Sequence, residues 1–206
     1  MTLRSLLAIV LILCSLQIYA QRRPATRYVI DAGFGTSNAV EPYTLGYRSS
    51  TFGFFHAELG ARILMNDLFG YRIIAGYDKI ENAKNGKSLP FKSTYYRGSA
   101  EAIIDLGELL KFDQFTAVFG LFLHGGVGYS RLSGSGKSEG MGHFVNGLTV
   151  NLKLNKRMTL NYDLTRVNHV YQQIKFDMQS AHSELGFDGL VFNMSLGLSV
   201  ELGKMR

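Results

Sequence analysis

Residues 190 to 202 alternate almost without fault. Leu190, Phe192, Met194, Leu196, Leu198, Val200 and Leu202 are apolar, and Asn193, Ser195, Gly197, Ser199 and Glu201 stand between them. A period of two predicts a β-strand with unlike faces, because successive side chains on an extended backbone point to opposite sides. The pattern recurs along the chain. It predicts eight strands at about 27–36, 53–63, 69–80, 94–106, 115–130, 143–154, 158–166 and 189–202. Each is near the roughly 9–11 residues that a tilted strand needs to cross a bilayer. Short connections fall at Leu64 to Leu68, Gly107 to Gln114 and Asn155 to Arg157, and long polar ones at about 37–52, 81–93, 131–142 and 167–188. Four long loops and three short turns suit an even-stranded barrel with both termini on the short-turn side.

The two faces differ in chemistry. One carries residues such as Tyr28, Ile30, Phe34, Phe55, Leu59, Ile63, Tyr71, Ile73, Tyr96, Leu123, Tyr129, Phe144, Leu148 and Leu164, none of them charged. The other carries Asp31, Glu58, Arg62, Arg72, Asp78, Arg97, Glu101, Asp105, Lys153, Asp163 and Glu201. A soluble ligand-carrying barrel would turn the apolar face inward and its charges to water. Two features oppose that arrangement. The charged face is rich in glycine, as at Gly33, Gly60, Gly76, Gly126 and Gly147, which suits a crowded lumen. The apolar face carries aromatics near strand ends, as at Tyr28, Tyr77, Tyr96, Tyr129 and Phe192, where interfacial girdles fall. The expected fold is an all-β, eight-stranded antiparallel up-and-down transmembrane β-barrel.

Charge changes this picture little. The net charge is +6, but Lys and Arg are scattered rather than gathered into a stripe, so no nucleic-acid partner is expected. The N-terminus reads as a secretory signal peptide over residues 1–20. Arg4 gives the positive region, Leu6 to Leu13 the short apolar core, and Ala20-Gln21 the cleavage point. The barrel is then expected over 21–206. Cys14, the one cysteine, would leave with the signal, so disulfides, thiolate metal sites and cysteine nucleophiles are not expected.

The chain resembles the OmpA-type outer-membrane proteins in their small, barrel-only form. The carriers are the Ala20-Gln21 junction, the run Glu101-Ala-Ile-Ile-Asp-Leu-Gly-Glu-Leu-Leu-Lys-Phe-Asp113, the run Gly120-Leu-Phe-Leu-His-Gly-Gly-Val-Gly128 and the closing Met194-Ser-Leu-Gly-Leu-Ser-Val-Glu-Leu-Gly203. Full-length members of that family add a peptidoglycan-binding domain, whereas this chain ends three residues after Gly203. Many outer-membrane proteins close on an aromatic residue, and this one closes on Lys204-Met205-Arg206. The resemblance implies residence in a Gram-negative outer membrane, with lipids, lipopolysaccharide and the barrel assembly machinery as partners. It also allows the narrow, low-conductance pores that some members form.

An eight-stranded barrel has a lumen just wide enough for side chains to fill. Glu58 and Arg62 share one face of the second strand, and Arg97 and Glu101 one face of the fourth, beside Arg72 on the third. With Lys153 these form the expected polar network of the lumen, as a salt-bridge plug or a gate for small solutes. Other motifs carry less. Gly134-Ser-Gly-Lys-Ser138 resembles the tail of a phosphate-binding loop, but Arg131 stands where its first glycine belongs. His56, His124, His143, His169 and His182 lack metal-ligand spacing, and His56 and His124 read as lumen residues. His169, His182, Ser183, Glu184 and Asp188 in the fourth long loop have the types of a hydrolytic set, but adjacent His182 and Ser183 point apart on a strand. Val170, Tyr171, Ile174, Phe176 and Met178 in the same loop are apolar enough to pack over the mouth or to dock a partner. No cofactor, metal or catalytic residue is expected. The expected role is a structural membrane scaffold whose loops serve adhesion or a protein partner, with a narrow pore and a lipid-modifying enzyme as the alternatives.

Overall fold

The computed structural model describes residues 26–41, 54–81, 91–111, 118–180 and 189–202. The expected signal segment, His182, Ser183, Glu184, Asp188, and Phe115 of the expected fifth strand lie outside the described residues. Eight strands form a closed antiparallel barrel in chain order: β1 (Arg27–Glu41), β2 (Phe54–Leu64), β3 (Phe69–Glu81), β4 (Lys92–Asp105), β5 (Phe119–Gly134), β6 (Lys137–Lys153), β7 (Met158–Val170) and β8 (Leu190–Leu202). The barrel closes where β1 meets β8, from Tyr28 opposite Leu202 to Ala39 opposite Val191, with a register shift between Ala39 and Glu41.

The apolar face points outward. Ile73 is 69% exposed, Phe34 66% and Leu59 60%, and Phe55, Tyr71, Val127, Tyr129 and Phe144 are exposed with them. In water such a surface would be a large uncovered apolar patch, whereas in a bilayer it meets its natural solvent. Phe55 packs edge-on to Tyr77 at 6.3 Å between ring centroids, and Tyr77 meets Tyr96 at 5.3 Å, which joins β2, β3 and β4 in one aromatic band. On the outward phase, charge appears towards the long-loop ends of strands, at Lys79, Lys92, Arg131 and Arg166.

Turn chemistry explains where the chain reverses. Asn66 accepts hydrogen bonds from the Leu68 and Phe69 amides at 2.9 and 2.6 Å, and Asn155 accepts from the Arg157 and Met158 amides at 2.8 and 2.9 Å. Each asparagine thus builds one short turn through its own side chain. The third short connection begins with a single helical turn, α1 (Leu106–Leu109), capped by Asp105, which accepts from the Glu108 amide at 3.1 Å.

One connection differs from expectation. The long loop expected over 131–142 is absent, because β5 and β6 run on to a two-residue hairpin at Ser135-Gly136, with Gly134 opposite Lys137. Both turn residues have positive φ, 46° and 74°. That geometry matches the twist of a hairpin, and Gly136 adopts it without strain. Strands β1, β5, β6 and β7 therefore extend further towards the long-loop side than periodicity predicted.

The lipid-facing assignment is testable by charge insertion. Leu59→Arg and Ile73→Arg, in the middle of the belt, are expected to destabilise the barrel by about 2–4 kcal/mol each. Lys79→Gln, above the belt, should stay within about 0.5 kcal/mol. Urea unfolding in phospholipid vesicles measures all three.

Candidate functional site in the barrel lumen

The inward phase of each strand sends charge into a narrow lumen where most of it is buried, so those charges must find one another. They do so in tiers. Nearest the short turns, Arg62 donates to both carboxylate oxygens of Asp31 at 2.7 and 2.5 Å and to Ser199 Oγ at 2.5 Å. Its guanidinium also lies 5.5 Å from the Phe122 ring centroid. Asn161 donates to Ser199 at 2.6 Å, which ties β7 to the same tier.

The middle tier centres on Arg72. It donates to Glu101 at 2.8 Å and to Asp163 at 3.0 Å, and its guanidinium lies 2.7 Å from His124 Nδ1. His124 Nδ1 is 2.7 Å from Glu101, Ser99 donates to Glu101 at 2.6 Å, Thr149 donates to Asp163 at 2.7 Å, and Thr165 also donates to Asp163. Arg72 and Glu101 are direct partners in the β3–β4 register. One cation and two carboxylates thus lock β3, β4, β5, β6 and β7 together.

The upper tier joins Arg97 to Glu58 at 3.4 Å. They stand on strands either side of Gly76, where an added Cβ would lie 3.2 Å from Arg97 Nε. The missing side chain leaves room for the guanidinium to cross β3. Glu58 also accepts from Ser195 at 2.5 Å and lies 3.3 Å from His56, whose other ring nitrogen is 2.6 Å from Asp78. Above this tier Ser130 Oγ lies 2.6 Å from His143 Nδ1 and 2.7 Å from the Tyr95 hydroxyl, which is 2.6 Å from His169 Nε2.

The tiers end in unlike environments. At the long-loop end the inward residues turn apolar, and Ile80, Tyr95, Leu132, Met141, Val145, Val167 and Val191 form a buried cluster with Phe176 and Met178. At the short-turn end the lumen opens into a vestibule of about 790 Å³. Arg27, Lys153, Lys156 and Arg157 line it together with Asp67, Asp105, Glu108 and Glu201.

Five of the six residues read from sequence as a lumen network are inward: Glu58, Arg62, Arg72, Arg97 and Glu101. Their pairing differs from that read along each strand. Glu58 meets Arg97, not Arg62, and Glu101 meets Arg72, not Arg97. Residues four apart on one strand are about 13 Å apart, whereas cross-strand neighbours are roughly 5 Å apart. Lys153 stands apart, exposed on the vestibule wall. Asp31, His56, Asp78, His124 and Asp163 complete the tiers. All five lie on the inward phase, and the cross-strand register is the signal that joins them to the network. Among the described residues no group of three or more His, Cys, Asp or Glu is placed to hold a metal ion.

No protein-family model and no curated protein matches the sequence. Solved structures match the fold. The chain is similar to Neisserial surface protein A, with a TM-score of 0.56 at 15% identity over 85% of this chain and 97% of that one. It is similar to the attachment invasion locus protein of Yersinia pestis, with 0.52 at 15% identity over 86% and 99%. It is also similar to a major outer membrane protein from Thermus thermophilus, with 0.55 at 13% identity over 86% and 100%. The chain has the eight-stranded barrel fold of small outer-membrane proteins.

Breaking the middle tier should be costly. Arg72→Met strands two buried carboxylates and is expected to destabilise by about 3–5 kcal/mol. Lys153→Met, on the vestibule wall, should change stability by less than about 0.5 kcal/mol. Equilibrium unfolding in detergent micelles distinguishes the two.

Proposed function

We propose that the protein is an integral outer-membrane scaffold whose surface loops serve adhesion or bind a protein partner. One observation carries this reading: the lumen is filled by ion-paired tiers and covered at its mouth by Phe176 and Met178, which leaves the wall and the loops as the surfaces available for contact. The exposed apolar belt supports a membrane location, and the outer membrane is the compartment of the similar folds. Outer-membrane lipids and lipopolysaccharide would contact the belt and its basic upper rim, and the barrel assembly machinery would insert it. In this reading the protein is not an enzyme and uses no cofactor.

A narrow pore is the second reading. The vestibule of about 790 Å³ supplies half of a passage, and the long Arg97–Glu58 contact of 3.4 Å marks the pair easiest to part.

Two measurements separate these readings. In planar bilayers the wild-type barrel is expected to give no conductance steps, and wild-type steps that grow in Glu58→Ala or Arg97→Ala would favour the pore. In mild detergent, replacing residues 42–52 with a short Gly-Ser linker is expected to release a co-purifying outer-membrane protein while heat-modifiable gel mobility, the mark of an intact barrel, is kept. A single purified species before and after replacement would overturn the partner-binding role.

A further inference from the structure

After β7 the chain does not leave the barrel. Residues 171–180 fold back across the mouth as a strap, closed on itself by a bridge between Ile174 and Ser180. Its two bends fall at Tyr171 and Met178, non-glycine residues with φ of 57° and 67°. Such residues stay in the left-handed region only when surrounding contacts hold them there. Three latches do so. Glu139 accepts from the Gln173 and Ile174 amides at 2.7 and 2.6 Å, Ser93 donates to the Phe176 carbonyl at 2.8 Å, and Lys137 donates to the Met178 carbonyl at 3.3 Å and to Ser180 at 3.0 Å.

Beneath the strap lie two histidines. His143 on β6 and His169 on β7 are direct cross-strand partners, with ring centroids 6.1 Å apart. They are 3% and 1% exposed. Phe176 of the strap covers His169 at 5.8 Å and Tyr95 at 6.4 Å. His143 Nε2 and His169 Nδ1 have no hydrogen-bond partner among the described residues, nor do Arg97 Nε and Nη1. We propose that the strap is a pH-sensitive lid, in which protonation of His143 and His169 drives Phe176 and Met178 out of the mouth.

The charge balance favours opening in acid. As neutral rings the pair sits beside the Arg97 guanidinium of β4. Two added protons place two further positive charges under an apolar cover, and admitting water relieves them. The other titratable groups facing the chamber are Tyr95 of β4, Asp78 of β3, and His56 and Glu58 of β2, with Glu101 of β4 further down. Asp78 and Glu58 already hold His56, and Glu58 also holds Arg97. On the lid side stand Asp177, whose carboxylate accepts from the Gln179 amide, and the latch residues Glu139 and Lys137. Glu139 holds the lid through a latch of its own, so the test must separate the loss of that latch from the effect of the histidines.

Amide exchange in the refolded full barrel reads the lid without mutation. The Gln173 and Ile174 amides are expected to be protected at about pH 7.5 and to lose protection at about pH 4.5, after correction for intrinsic rates, across the range where imidazoles gain charge. In His143→Gln/His169→Gln the protection should persist at the lower pH, whereas Glu139→Gln should lose it at both. The chain has no tryptophan, so Phe176→Trp supplies a second reporter, whose emission should shift reversibly to the red on acidification. Heat-modifiable gel mobility checks that each variant is folded, and where the double variant fails, each single histidine variant is read in its place. Protection that does not change with pH in the wild type overturns the proposal. So does a loss that is undiminished in the histidine variants.

Discussion

A chain that crosses lipid must satisfy every backbone N–H and C=O within the protein, because hydrocarbon offers no partner. A closed antiparallel sheet meets that demand, and here the β1–β8 pairing removes the two edges that an open sheet would expose. Closure then divides every strand into an outward and an inward phase. The outward phase meets acyl chains and carries Leu59, Ile73 and Phe34. The inward phase shares a narrow lumen in which most side chains are buried. Charges placed there must pair, and neighbours must shrink to admit them, which is the physical role of Gly76 beside Arg97.

The tiers follow from this confinement. Each arginine of the lumen is met by carboxylate from a different strand: Arg62 by Asp31, Arg72 by Glu101 and Asp163, and Arg97 by Glu58. A buried ion pair adds little net stability over a packed apolar pair, yet losing one member strands the other at a cost of several kcal/mol. Such an arrangement specifies register more than it adds stability, since sliding one strand by a residue would turn its charges to lipid. The same tiers obstruct passage. A solute entering the vestibule meets the Arg62–Asp31 pair first, then the Arg72 centre, and each is held by three or more contacts. That favours a scaffold whose work lies at its ends.

Much of the fold was legible in the sequence because period-two alternation needs no knowledge of distant residues. The strand phases, the inward charges and the positions of the short turns could all be read locally. Pairing could not. Arg97 and Glu101 look like neighbours in the chain, but extension separates them, and only the cross-strand register shows that Glu101 faces Arg72. The hairpin at Ser135-Gly136 was hidden by composition: Gly, Ser and Lys over 131–142 read as loop, while the ladder runs almost to the tip. Lys153 shares the inward phase but sits at the last position of β6, where the lumen has already widened into the vestibule. The mouth was the least legible region. Ile80, Leu132, Met141, Val145 and Val191 lie on the inward phase, against the rule that this face is polar.

That exception has a physical cause. An inward apolar residue is stable only if something apolar covers it, and here the cover comes from the chain itself, through Phe176 and Met178. Residues 171–180, expected as part of a long loop, thus complete the lumen instead of reaching outward. The similar folds, at 13–15% identity, show how little sequence the barrel wall requires beyond alternation. Identity is free to drift on the wall, where any apolar side chain serves. The mouth adds what the wall lacks: a strained backbone, two buried imidazoles and two guanidinium nitrogens without a hydrogen-bond partner among the described residues. Those features set the mouth physically apart from the wall, because each needs the cover that residues 171–180 supply.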